Sequence, residues 1–274
     1  MLAPLGKNTR IYKVRNLLFK VSIDTDRLEG IEEGLKIVTE RLKPNTKGWL
    51  TAHSLLAILF LRKGELHRAK QHIGITLTNE SVIKTEKRRR LFHNQFIERL
   101  EEEAIIFTLQ NKERTEIDIK DLPIAVEELF KNNLSETEIT IQIANIAPAE
   151  TSQLLLQIDN LVRKQLPYRR EVLALPDPLT MKGREFVGKK IFKALKRRTY
   201  AGLCDPNSQV NKVWTEQGIG GLFTGSVVGT TLATSFARAD IACGTIAVPF
   251  LALVAKVGIE AVCDSISGES DFLN

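Results

Sequence analysis

The chain has 274 residues, 43% hydrophobic and 26% charged, with a formal net charge of +6. That length buries a real core in one or two domains, and the composition excludes a disordered tail or a low-complexity polymer. The cysteines, Cys204, Cys243 and Cys263, are too few and too unevenly spaced for a disulfide scaffold; they point to a reducing compartment. Lys7 and Arg10 interrupt the N-terminus before the apolar run of a signal peptide develops, so a cytoplasmic location is expected.

Helical periodicity dominates from residue 26 to residue 165. Residues 26–43 carry Leu28, Ile31, Leu35, Ile37, Val38 and Leu42 at amphipathic spacing, and Pro44 with Asn45 ends them. Residues 48–61 are strongly apolar; Lys63-Gly64 predicts a turn, and 65–75 restarts a helix. The Glu-, Arg- and Lys-rich stretch 81–110 predicts one long helix or two abutting ones. Residues 122–133, 135–146 and 149–165 predict three more, the second opened by a Ser135/Glu138 capping box. Period-two alternation is confined to short pieces such as 114–120. The expected fold class is all-α, with residues 1–165 a helical bundle or short solenoid-like interaction domain.

Pro167, Pro176, Pro178 and Gly183 make 166–183 a predicted linker. Beyond it, 184–211 is expected to be a basic amphipathic helix and a turn. Val187, Ile191, Phe192, Ala194 and Leu195 share one side of that helix, and Lys189, Lys190, Lys193, Lys196 and Arg197 share the other. From Arg163 to Arg198 there are twelve basic residues and three acidic ones, so the rest of the chain is slightly acidic. Positive charge this local implies an anionic partner facing one segment. Phe186, Phe192 and Tyr200 interleave only weakly with the cations, and no nucleic-acid motif frames them. The expected partner is therefore an anionic membrane surface rather than nucleic acid.

Residues 212–274 read as an apolar hairpin with a polar tail. Residues 218–237 and 241–255 are uncharged, Arg238 and Asp240 fall between them, and Lys256 and Glu260 have helix-pair spacing. Gly221, Gly225 and Gly229 repeat every four residues, which puts them on one helix face where a second helix approaches closely. This pattern resembles the glycine zippers of membrane and pore-forming proteins. The resemblance implies a self-associating hairpin that inserts into or lies on a membrane, at its cytoplasmic face, as a homo-oligomer. Cys204 and Cys263 flank the hairpin as candidate acylation sites.

A second resemblance lies near the N-terminus. Leu56, Ala57, Phe60, Gly64, Ala69 and Ile73 resemble the tetratricopeptide pattern, in which small and large apolar residues let two antiparallel helices nest. His53 stands where that pattern holds Trp, with Trp49 one turn earlier, and no convincing second repeat follows. The resemblance implies a protein- or peptide-binding hairpin built on Trp49, Leu56, Phe60, Gly64 and Ala69.

No complete catalytic motif is present, and the expectation is a non-enzymatic protein without cofactor. Gly220–Ser226 has phosphate-loop spacing but lacks the lysine. His53, His67, His72 and His93 form no H-E-x-x-H, and the cysteines form no C-x-x-C, so no metal site is expected. Two readings follow: a membrane-associated, self-assembling helical protein, or a soluble tetratricopeptide-like scaffold whose C-terminal hairpin is a buried core or an oligomer interface.

Overall fold

The computed structural model describes residues 5–25, 27–111, 121–166, 175–224, 231, 234–236, 241 and 244–267. The fold is all-α, with no strand among the described residues. The helices are α1 (Leu5–Asp24), α2 (Ile31–Arg41), α3 (Lys47–Arg62), α4 (Leu66–Thr78), α5 (Glu86–Gln110), α6 (Leu122–Lys131), α7 (Glu136–Ile146), α8 (Ala149–Gln165), α9 (Met181–Cys204), α10 (Gln209–Thr224), α11 (Ala247–Val257) and α12 (Ile259–Ser267). A short 3-10 turn, Glu80–Val82, precedes α5. The alternating piece 114–120 lies outside the described residues.

The chain forms two compact units whose boundaries fall inside α5 and α8. Unit 1 holds the described residues up to Ala104 and from Gln157 to Leu166; unit 2 holds Ile105–Leu156 and those from Leu175 onward. Residues after the proline-rich stretch fold with α6 and α7, because α6 and α7 supply the apolar faces that α9 and α11 need.

Unit 1 is built around α3. Thr46 caps it by accepting a hydrogen bond from the Trp49 amide, and every residue from Ala52 to Arg62 is buried. α1, α2 and α4 pack against it, with Ile31, Leu35 and Val38 of α2 and Ala69, Ile73 and Leu77 of α4 turned inward. The predicted turn at Lys63-Gly64 is present. Gly64 has φ +74°, which lets the Gly64 and Glu65 amides return to Leu61 O and Phe60 O and satisfy two carbonyls at the end of α3.

A buried ionic network ties α1, α3 and α5 together. Arg62 makes a two-pronged contact with Glu103, Nε to Oε2 and Nη2 to Oε1, each 2.7 Å, and also donates to the Ile23 carbonyl. Arg99 binds Asp24 at 2.5 Å, Glu103 at 2.9 Å and Glu102 at 3.3 Å. Burial opposes the Arg99 charge, but the carboxylates of Glu103, Asp24 and Glu102 hold it firmly cationic. Removing one partner of such a buried set costs about 3–5 kcal/mol, because the other charge is left unpaired.

Unit 2 has its core between α6, α7, α9, α11 and α12. The Ser135/Glu138 capping box that starts α7 is complete. α9 begins at Met181, three residues earlier than the sequence suggests, because Thr180 accepts from the Gly183 amide at 3.1 Å and caps it there. Gly188 of α9 lies directly against the Thr140 carbonyl of α7, leaving no room for a side chain. Ala247–Ala255 of α11 are all buried. Gly258, at φ +91°, breaks the chain between α11 and α12. The expected Lys256–Glu260 pairing on one helix is therefore corrected: Lys256 donates to the Leu134 carbonyl instead.

Two cysteine expectations also change. Cys204, at the end of α9, and Cys263, on α12, form a disulfide with a Cα–Cα distance of 5.5 Å. Neither is a free thiol open to acylation. Cys243 lies outside the described residues.

Candidate functional site

The α3/α4 pair carries a continuous row of rings and charges. Trp49 sits edge-on to His53, with ring centroids 4.2 Å apart. His53 Nδ1 and His72 Nδ1 are 2.8 Å apart, so one imidazole donates to the other across the two helices. His72 stacks on Phe60 at 5.4 Å, and the Arg68 guanidinium lies over the other end of the row, 3.8 Å from the Phe60 centroid. Positions 49, 53 and 60 follow the turns of α3, and 68 and 72 are one turn apart on α4, so helical spacing alone brings these residues into line.

The row ends in a charged hub. Arg68 binds Glu32 of α2 and Glu65, each at 2.5 Å. Glu32 also receives Lys36 at 2.7 Å and Lys63 at 2.8 Å. Hydrogen bonds from Lys36, Lys63 and Arg68 hold its carboxyl well below the usual carboxylate range.

Burial pushes the His53 imidazole down to about 4, reinforced by charge on His72. Burial lowers His72 as well, helped by Arg68 and Lys36. Both rings are therefore neutral near pH 7. Ser54, beside His53 in sequence, donates its hydroxyl to Leu50 O at 2.9 Å and makes no nucleophile–base pair with the histidine. The arrangement is an aromatic and imidazole row, buried at His53 and Phe60 and half-buried at Trp49 and His72, with a charged end. Among the described residues, no group of three or more His, Cys, Asp or Glu is placed to hold a metal ion.

Of the hairpin residues expected to bind a partner, Leu56, Phe60 and Ala69 are fully buried and hold the helix pair together. Only Trp49, half-buried, and Gly64, exposed, reach the surface. Beside Trp49, the row reaches the surface at His72 and Arg68, both half-buried, whereas His53 is buried; sequence spacing does not join these residues.

The C-terminal expectations fare differently. Of the five cations expected to face an anionic partner, only Lys189 is exposed, and it pairs with Glu185 at 2.6 Å; Lys182 and Arg184, in the first turn of the same helix, are exposed too. Lys190 lies over the Phe186 ring at 5.5 Å. Lys193, Lys196 and Arg197 are half-buried, and none of them is free. Gly221 lies on α10; Gly225 and Gly229 lie outside the described residues. Among the described C-terminal residues, the close glycine approaches are on α9, at Gly183 against Asp177, Gly188 against Thr140 and Gly202 against Ser235. No helix among the described residues is long and apolar enough to cross a membrane.

No protein-family model, curated protein or solved structure matches this chain.

Proposed function

We propose that this protein is a non-enzymatic helical scaffold. It binds a protein or peptide partner along the α3/α4 strip of unit 1, and its apolar C-terminal segment serves as the core of unit 2. The observation that carries the choice between the two sequence readings is the burial of Ala247–Ala255 on every side of α11. An apolar helix already enclosed by α6, α7 and α12 has a protein environment for its side chains. At 11 residues it is also about half the length that crosses hydrocarbon.

Partner binding is supported by the chemistry of the strip. Trp49 offers an amphipathic ring, and Arg68 a planar cation with 38% of its side chain exposed. Both residue types carry a large share of binding energy at interfaces.

Three measurements test this reading. The full chain is expected to leave membranes on carbonate extraction, whereas a chain ending at Ile246 loses cooperative unfolding of unit 2. Retention of the full chain after carbonate restores the inserted hairpin and overturns the scaffold. A displayed peptide library, selected on the wild-type chain and counter-selected on Trp49→Ala/His72→Ala, is expected to return sequences that need those side chains. A library that returns none removes the binding strip.

A further inference from the structure

The outer face of α1 is the largest apolar feature left open among the described residues. Five of the eleven large hydrophobic residues exposed there lie on this one helix: Ile11, Val14, Leu17, Leu18 and Val21, each between 48% and 59% exposed. At 100° per residue they fill one arc of about 120°. The opposite side of α1 is already occupied. Asn16 donates to Gly48 O at 2.8 Å and Ile23 is buried; Asp24, beside the arc on the Lys13 side, is held by Arg99. The helix cannot roll to hide the stripe without breaking these contacts.

Along the stripe, the charges that α1 itself carries before Asp24 are of one sign. α1 has no acidic residue before Asp24. Arg10, Lys13 and Arg15 are exposed; by the same geometry Lys13 and Arg15 lie about 40° beyond the two edges of the apolar arc, and Arg10 lies within the arc at its N-terminal end. Lys20 is paired with Asp24 at 3.1 Å and adds nothing outward.

From these observations we infer that α1 docks flat on an anionic lipid surface, apolar arc in the acyl–headgroup boundary and cations against phosphate and carboxylate. An apolar arc with cations along both rims is what such an interface selects, because the arc immerses about 5–10 Å and the rims then lie at headgroup level. A second copy of the chain fits poorly. Two such faces would set Arg10, Lys13 and Arg15 against their own counterparts, and like charges across an interface repel. This contact is peripheral and is independent of what the α3/α4 strip binds.

The test is flotation of the full-length protein with vesicles of phosphatidylcholine, with and without phosphatidylserine. The protein is expected to float with the anionic vesicles only, and to be released by high salt or carbonate. Leu18→Asp, at an exposed position, is expected to keep the wild-type melting temperature and to lose vesicle binding. Lys13→Gln is expected to lower the partition coefficient roughly fivefold, the share of one basic residue at a charged surface. Failure to float with anionic vesicles overturns the proposal, as does undiminished flotation of a folded Leu18→Asp protein. Sedimentation of the lipid-free protein completes the test. If flotation fails and a dimer forms that Leu18→Asp disperses, the face belongs to self-association; if flotation fails and the chain stays monomeric, an acidic protein partner replaces the lipid. Either result removes the membrane assignment.

Discussion

His53 shows how a single side chain links packing to solution behaviour. Its imidazole titrates at about 4 in the fold against an ordinary 6.5. The unfolded chain therefore takes up a proton at a pH where the folded one does not, and stability falls as pH drops from 6.5 toward 4. Above 6.5 both states hold a neutral ring and the contribution is constant. The groups facing the pair are His72 and Arg68 on α4 and Lys36 on α2. All are cationic or become so on acidification, so none offsets the loss. Each pH unit between the folded and unfolded titrations is worth about 1.4 kcal/mol. Chemical denaturation of the full chain is expected to show roughly 3 kcal/mol less stability at pH 4 than at pH 7 from this residue. His53→Phe, which keeps the ring and removes the proton site, is expected to flatten that slope. An unchanged slope in the variant assigns the acid sensitivity to other groups, such as the carboxylates around Arg62 and Arg99.

At the scale of elements, the closest glycine contact in unit 2 outside the interhelical loops is between α7 and α9. Gly188 touches the Thr140 carbonyl so closely that a methyl group overlaps backbone, which cannot move aside as a flexible side chain does. Gly188→Ala is expected to destabilise unit 2 by about 1–3 kcal/mol, the usual range for overpacking. The reference is Gly74→Ala on α4, where a Cβ meets nothing within 4 Å. There the gain in helix propensity, about 1 kcal/mol, is expected instead. Equal effects at the two sites, read by denaturant midpoint, would remove the close-packing assignment. The same helices show what the sequence reveals and what it conceals. α8 falls at 149–165 as periodicity indicates, and the capping box at Ser135 is a local signal that structure preserves. α1 escapes detection because its apolar residues lie on two faces, Ile23 inward and Ile11 to Val21 outward, so no single polar face marks its period. The tetratricopeptide-like spacing of Leu56, Phe60, Gly64 and Ala69 does mark the α3/α4 pair. It gives no hint that His53 meets His72, because that contact depends on how two helices are set side by side.

Across the whole molecule, the Cys204–Cys263 bond is the longest-range covalent constraint among the described residues, closing a loop with a sequence separation of 59. An even number of cysteines, the usual sign of a disulfide framework, is absent from a chain with three; the pairing arises because α12 packs on α9. Closing a loop of that length removes unfolded-state entropy worth about 4 kcal/mol in the chain-entropy account, and engineered and native bonds deliver part of it. Cys263→Ser is therefore expected to lower the unfolding free energy of unit 2 by roughly 2–4 kcal/mol. Native-state hydrogen exchange locates the loss. Amides of α9, α11 and α12 are expected to lose protection, while those of α3 and α4, in the other unit, keep theirs. Equal loss everywhere would mean that the two units unfold as one. The variant also separates the cross-link from the burial that underlies the proposed function. α11 is enclosed by α6 and α7 through side-chain packing that does not involve sulfur. The Cys263→Ser protein is accordingly expected to remain extractable by carbonate. Retention in the membrane would show instead that the disulfide, and not the core, keeps the apolar segment folded into unit 2.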